Sequence, residues 1–124
     1  MSTRATYEFK DQYGSHTVYI HFDGYPSNAY KYIQNALKLA WELPRFEADE
    51  FAAAFVATNK NREGGVRLTD GRDSYFDTKY HYVVSLQGTK IFTERYEPDG
   101  FSENRIWSLV QVGYLDDMLE EHCK

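Results

Sequence analysis

His21-Phe22-Asp23-Gly24-Tyr25-Pro26 decides how this chain is read, because it stands between a stretch of period two and a stretch of helical period. Asp23-Gly24 supplies the side-chain acceptor and permissive backbone of a tight turn, and Pro26 presets the φ angle at which a helix begins. Upstream, the odd positions from Ala5 to Phe9 are apolar, as are Val18, Ile20 and Phe22 between His16 and Phe22. Both segments read as half-buried strands, and Asp11-Gln12-Tyr13-Gly14-Ser15 joins them in a β-hairpin. Downstream, Ala29, Tyr32, Ile33, Ala36, Leu37, Ala40 and Trp41 form one apolar stripe of a helix that Pro44 ends.

Phe46 to Thr58 has the alanine content and the Phe51, Ala54, Phe55 spacing of a second, shorter helix. Asn59 to Gly65 reads as a loop, Val66-Arg67-Leu68-Thr69 as a short strand, and Asp70 to Asp73 as a second loop. Tyr80 to Leu86 alternates again, and Gln87-Gly88-Thr89 turns it back into Lys90 to Glu97 as a second hairpin. Pro98-Asp99-Gly100 breaks that strand, Glu103-Asn104-Arg105 reads as a surface turn, and Arg105 to Val112 adds a strand. Leu115 to Glu121 closes the chain as a short helix, with Asp116 and Asp117 at its positive end.

The order β-β-α-α-β-β-β with a short C-terminal helix predicts an α+β fold, an antiparallel sheet with two helices packed on one face. The uncovered face then carries Tyr19, His21 and His81, with Phe92 or Arg95, and exposed aromatics of this kind point to self-association. At 124 residues the chain is expected to form one domain over 1–124. Its 17% aromatic content, eleven of the residues being Tyr, suits partly exposed pockets and subunit contacts as well as packing.

A net charge of −5 argues against a protein that coats a nucleic acid polymer, which needs a basic face. It does not exclude a small anion held by a few convergent arginines, since exposed charges beyond about 8 Å are largely screened. Cys123 is the only cysteine, so no intrachain disulfide or cysteine zinc site forms and the cytoplasm is the expected compartment. No segment reads as a signal peptide or approaches a membrane span of about 20 residues.

Signatures of catalysis are thin. His16, His21, His81 and His122 show no His-x-x-x-His pairing, and no metal or other cofactor is expected. Gly64-Gly65 is not followed by the Lys-Ser/Thr of a phosphate loop, and Gly-x-Ser-x-Gly is absent. A binding site is easier to assemble. A cyclic nucleotide needs guanidinium groups for its phosphates and flat rings for its base. Arg67, Arg72 and Arg105 are candidates for the first role, and Tyr25, Phe76 and Tyr82 for the second. Taken singly, each arginine is more often a solvated charge or a carboxylate partner.

Three segments carry a family resemblance: Ser2-Thr3-Arg4-Ala5-Thr6-Tyr7, Val18-Tyr19-Ile20-His21-Phe22-Asp23-Gly24-Tyr25-Pro26, and Ala36 through Arg45 with its Leu-Ala-Trp-Glu-Leu-Pro-Arg run. The chain resembles the phage Thoeris anti-defence protein 1 family over nearly its whole length. The resemblance implies an α+β subunit that associates into dimers or hexamers with pockets at subunit contacts. It implies binding of cyclic ADP-ribose isomers made by bacterial TIR enzymes, sequestered without cleavage, and in some members cyclic oligonucleotides at a second site. The family's third-strand aromatic and late arginine match Tyr82 and Arg105, and its positions on the first helix and the second helix's exit match Asn28 and Asn59. The expectation is a non-catalytic sponge with Arg67 and Arg105 on phosphates and Tyr82 and Tyr25 against adenine. Two alternatives stay open: an inhibitor that covers a host enzyme through the tyrosine-rich sheet face, and a nucleotide-processing enzyme using His21 and Asp23 as acid and base.

Overall fold

The computed structural model describes residues 3–61, 64–99 and 105–123. Alternation of large apolar and polar side chains builds a hairpin from β1 (Ala5–Asp11) and β2 (Gly14–Ile20). Ala5, Tyr7, Phe9, Val18 and Ile20 are buried on one face of it. Over that face lie α1 (Pro26–Ala36) and α2 (Ala48–Asn59), which pack against each other. Phe55 fills the junction, with ring centroids 4.8 Å from Tyr7 and 4.9 Å from Phe9. β3 (Val66–Thr69), β4 (Tyr80–Gln87), β5 (Lys90–Pro98) and β6 (Trp107–Tyr114) follow, and α3 (Leu115–His122) closes the chain against α1. The fold is α+β, as predicted, but four strands follow α1 and α2 where the predicted order has three.

The sheet runs β3-β2-β1-β4-β5-β6. Every neighbouring pair is antiparallel except β1 and β4, so the sheet is mixed rather than wholly antiparallel. Residues 70–79 account for the difference. A parallel neighbour cannot be reached by a hairpin and needs a crossover. These residues make it, bringing the chain from the edge strand β3 to the far side of β1. Their Tyr75 stacks on Tyr19, on the face away from the helices.

At the deciding turn the unusual backbone falls on the other residue of the pair. Asp23, not Gly24, takes the left-handed conformation, with φ 56°. Gly24 is required for close approach: its amide donates to Thr3 O at 2.9 Å and its carbonyl accepts from the Tyr82 hydroxyl at 2.7 Å. A Cβ there would lie 2.8 Å from Ala5 Cβ and 2.9 Å from Thr3 O.

α1 stops at Ala36, five residues short of the predicted stripe's end at Trp41. The amides of Leu37, Lys38 and Leu39 bond carbonyls three residues back, tightening the chain into successive turns. Trp41 then swings outward, where Arg45 sits 3.9 Å over its ring and its amide donates to Glu50. Arg95 also departs from expectation. It lies opposite Tyr82 in the β4–β5 register and so on the helix side, where it bonds Gln111 Oε1 at 3.4 Å. The predicted turn at Glu103-Asn104 lies outside the described residues. Among the described residues no helix is long and apolar enough to cross a membrane.

Candidate ligand-binding site

Strand register lays one row of side chains across the sheet face turned away from the helices. Arg67 lies opposite Tyr19, Tyr19 opposite Thr6, Thr6 beside His81, and His81 opposite Tyr96. Opposed residues point to the same face, so all five belong to one surface. The crossover loop folds down on this row. Tyr75 stacks on Tyr19 with centroids 3.9 Å apart, Trp107 sets its ring edge-on to His81 at 5.9 Å, and Arg72 lies 5.3 Å from the rings of Tyr96 and Trp107.

Arg105 holds the loop in place. Its Nη1 donates to Phe76 O at 2.6 Å and Thr78 O at 3.0 Å, and its Nη2 to Arg72 O at 3.0 Å, Tyr75 O at 2.5 Å and Thr78 Oγ1 at 2.6 Å. The guanidinium fork reads four backbone carbonyls at once, a geometry no other side chain offers. Burial lowers its pKa, with the nearby Asp73 and Asp77 carboxylates acting in the other direction.

Between the loop and the β2–β3 edge lies a recess of about 440 Å³, lined by Arg4, Tyr19, His21, Gly65, Arg67 and residues 74–77. Arg4 projects from the strand end with the same alternation as Thr6 and Glu8. Its Nε lies 3.2 Å from both His21 Nδ1 and Asp77 Oδ2, and the Tyr19 hydroxyl is 2.8 Å from His21 Nδ1. Burial is the main cause of a raised Tyr19 pKa, with Asp77 adding to it. Arg67 is exposed on the edge strand, and Phe76 presents its ring at 62% exposure. Two guanidinium groups can meet an anion here, the Tyr75 and Phe76 rings can take a flat heterocycle, and Asp77 and Ser74 can accept from hydroxyls.

Comparison with family models, curated proteins and solved structures finds no match. The assignment of the site therefore rests on its geometry. Of the six residues predicted to bind a ligand, the recess brings together Arg67 and Phe76. Tyr82 is enclosed in the core, stacked 5.2 Å from Tyr7, with its hydroxyl committed to Gly24 O, so the expected stacking against adenine is not available to it. Arg105 spends its donors on loop carbonyls rather than facing the recess. Tyr25 and Asn28 sit at the start of α1, Tyr25 with its ring edge-on to Tyr80 at 6.0 Å, away from the recess. Asn59 is buried and bonds Tyr32 O and Phe55 O at 2.9 Å, tying α2 to α1. His21 faces the recess while Asp23 accepts from the Tyr32 hydroxyl of α1 at 3.4 Å. Arg4, Tyr75 and Asp77 are the residues that sequence reasoning missed, and extending the β1 alternation back by one step marks Arg4.

Beside the recess, Thr6 Oγ1 lies 2.7 Å from His81 Nδ1 and His81 Nε2 lies 3.0 Å from Glu8 Oε1. A carboxylate only accepts, so Nε2 carries the proton and Nδ1 accepts from Thr6. Burial lowers the His81 pKa against the opposing pull of Glu8, and the hydrogen bond from His81 lowers that of Glu8. Both shifts have one sign for stability, because the unfolded chain binds more protons than the folded one. Stability is thus expected to fall as pH drops below the ordinary histidine range, and again below the ordinary range of a glutamate carboxyl. Urea melts from pH 7.5 to 5.5 check this: His81→Gln should flatten the dependence over that range, and an unchanged slope would remove His81 as its source.

Proposed function

We propose that this chain is a non-catalytic protein that binds and sequesters a cyclic ADP-ribose-type signalling nucleotide in the recess, acting as a homo-oligomer in the bacterial cytoplasm. The observation that carries the reading is that Arg4, Arg67 and the Tyr19–Tyr75 stack line one space of about 440 Å³. That volume suits a small ligand, and the mixture of cations and rings suits one with phosphates and a base. Arg67 takes a phosphate, Arg4 with His21 completes the anion-binding side, and Phe76 lies against the base. The resemblance to the Thoeris anti-defence sponges supplies the nucleotide class.

Binding without turnover is supported by the state of the Thr6-His81-Glu8 chain. Its connectivity is that of a nucleophile, a base and an orienting carboxylate, but Thr6 is 0% and His81 1% exposed. A sequestering protein acts by stoichiometry, so its affinity should exceed about 8 kcal/mol, a dissociation constant below micromolar. Incubation with a cyclic ADP-ribose isomer, removal of free ligand and heating of the complex should release the nucleotide intact. Release of an altered nucleotide would mark an enzyme, and failure to retain it would leave the sheet face as a protein-binding surface.

A further inference from the structure

The sheet ends in two unlike edges. β3 is four residues long and carries Arg67, the kind of short, charged edge that resists pairing. β6 is eight residues long, Trp107-Ser108-Leu109-Val110-Gln111-Val112-Gly113-Tyr114, and holds no charged residue and no proline. Only β5 pairs with it, so one side of its backbone is free of a strand partner among the described residues. Leu109, Val110 and Val112 are 51%, 49% and 47% exposed, which concentrates branched apolar side chains on an open ladder.

The β5–β6 register carries an irregularity that gives this edge an internal symmetry. Arg95 lies opposite Gln111 and the next residue, Tyr96, opposite Leu109, so Val110 is an extra residue in β6. Tyr114 and Val112 lie opposite Phe92 and Glu94, while Leu109 and Trp107 lie opposite Tyr96 and Pro98. All four therefore share the face turned away from the helices, and Ser108, Gln111 and Gly113 share the other. In a regular strand, positions 109 and 112 would face opposite sides. With the bulge, the apolar set is symmetric about the midpoint between Val110 and Gln111.

We propose that β6 is the contact by which two copies of this chain associate, paired antiparallel about that midpoint into one continuous sheet. Trp107 then meets Tyr114 of the second copy, and Leu109 meets its Val112. Ser108 meets Gly113 on the helix side, and the one unlike pair is Val110 with Gln111 at the midpoint, where the bulge lies. Such an interface is isologous, as a two-fold contact must be. A second copy fits better than a charged partner, because a molecule of net charge −5 repels itself except along a neutral strip, and β6 is one. The pairing is independent of the nucleotide reading, since none of these residues lines the recess.

Sedimentation of the full chain at roughly 100 μM should show a dimer or a multiple of one, and Val112→Lys or Leu109→Lys should raise the dissociation constant about tenfold or more while leaving the circular dichroism spectrum unchanged. A monomer at that concentration, or an assembly that both lysine variants leave intact, would overturn the proposal. Register is read by oxidation in a Cys123→Ser background. Leu109→Cys with Val112→Cys should cross-link into a covalent dimer and neither alone should do so. Cross-linking by either single variant, or by none of the three, would overturn the symmetric register.

Discussion

Gly24→Ala is expected to cost about 2 to 3 kcal/mol of stability, the upper range for overpacking a site that cannot relax. The added Cβ meets Ala5 Cβ at 2.8 Å and Thr3 O at 2.9 Å, and neither atom belongs to a flexible side chain. Relief requires the start of β1 to move, which strains the Gly24 amide bond to Thr3 and the Tyr82 bond to Gly24. Arg4 follows Thr3 directly, so the same movement pulls it from His21 and loosens the recess. Gly71→Ala is the control, since a Cβ at Gly71 meets nothing within 4 Å, and it should shift stability by less than about 0.5 kcal/mol. Urea denaturation followed by circular dichroism compares the two, and equal midpoints would show that the turn does not need its close approach.

Arg105→Ala should be at least as costly, about 3 kcal/mol or more, because a buried charged donor and four carbonyls lose their partners together. Arg105→Lys should recover little of it. An ammonium has three donors around one point and cannot span Phe76 O, Thr78 O, Arg72 O and Tyr75 O as the planar fork does. The damage should be local before it is global: residues 70–79 should become open to proteolysis under conditions in which the helices stay folded. The recess then loses the wall carrying Tyr75 and Phe76, so nucleotide affinity should fall although Arg105 does not line it. Unchanged cleavage of residues 70–79 in Arg105→Ala would mean that the loop is held by its ring contacts, Tyr75 on Tyr19 and Arg72 over Tyr96 and Trp107, without the guanidinium.

The elements were legible because each is written in local periodicity. Tyr7 and Phe9, Val18 and Ile20, and Tyr82 and Val84 alternate as half-buried strands must, and the second helix shows its Phe51 and Phe55 face directly. The parallel pairing of β1 with β4 left no such trace, since it is set by a crossover whose residues 70–79 carry no periodicity. The site was mostly illegible for the same reason. Arg67 and Phe76 were found from residue type beside turns, but their neighbour Tyr75 meets Tyr19 only through the path of the loop. Tyr82 and Arg105 looked like ligand contacts by type alone. What removes Tyr82 from that role is its place under α1, and what removes Arg105 is the convergence of four distant carbonyls, neither of which spacing encodes. Asp23-Gly24 was recognised as a turn, while the reason for its glycine depended on how near Thr3 comes.

Calorimetric titration of a cyclic ADP-ribose isomer into the intact chain and into Arg67→Ala, followed by heating and recovery of the ligand, tests the central claim most directly. Tight, saturable binding, weakened by roughly 1.5 to 3 kcal/mol in Arg67→Ala and ending in recovery of unaltered nucleotide, is the predicted result. Equal affinity in both proteins, or the absence of binding in either, would contradict the assignment of the Arg4–Arg67 recess as a nucleotide site.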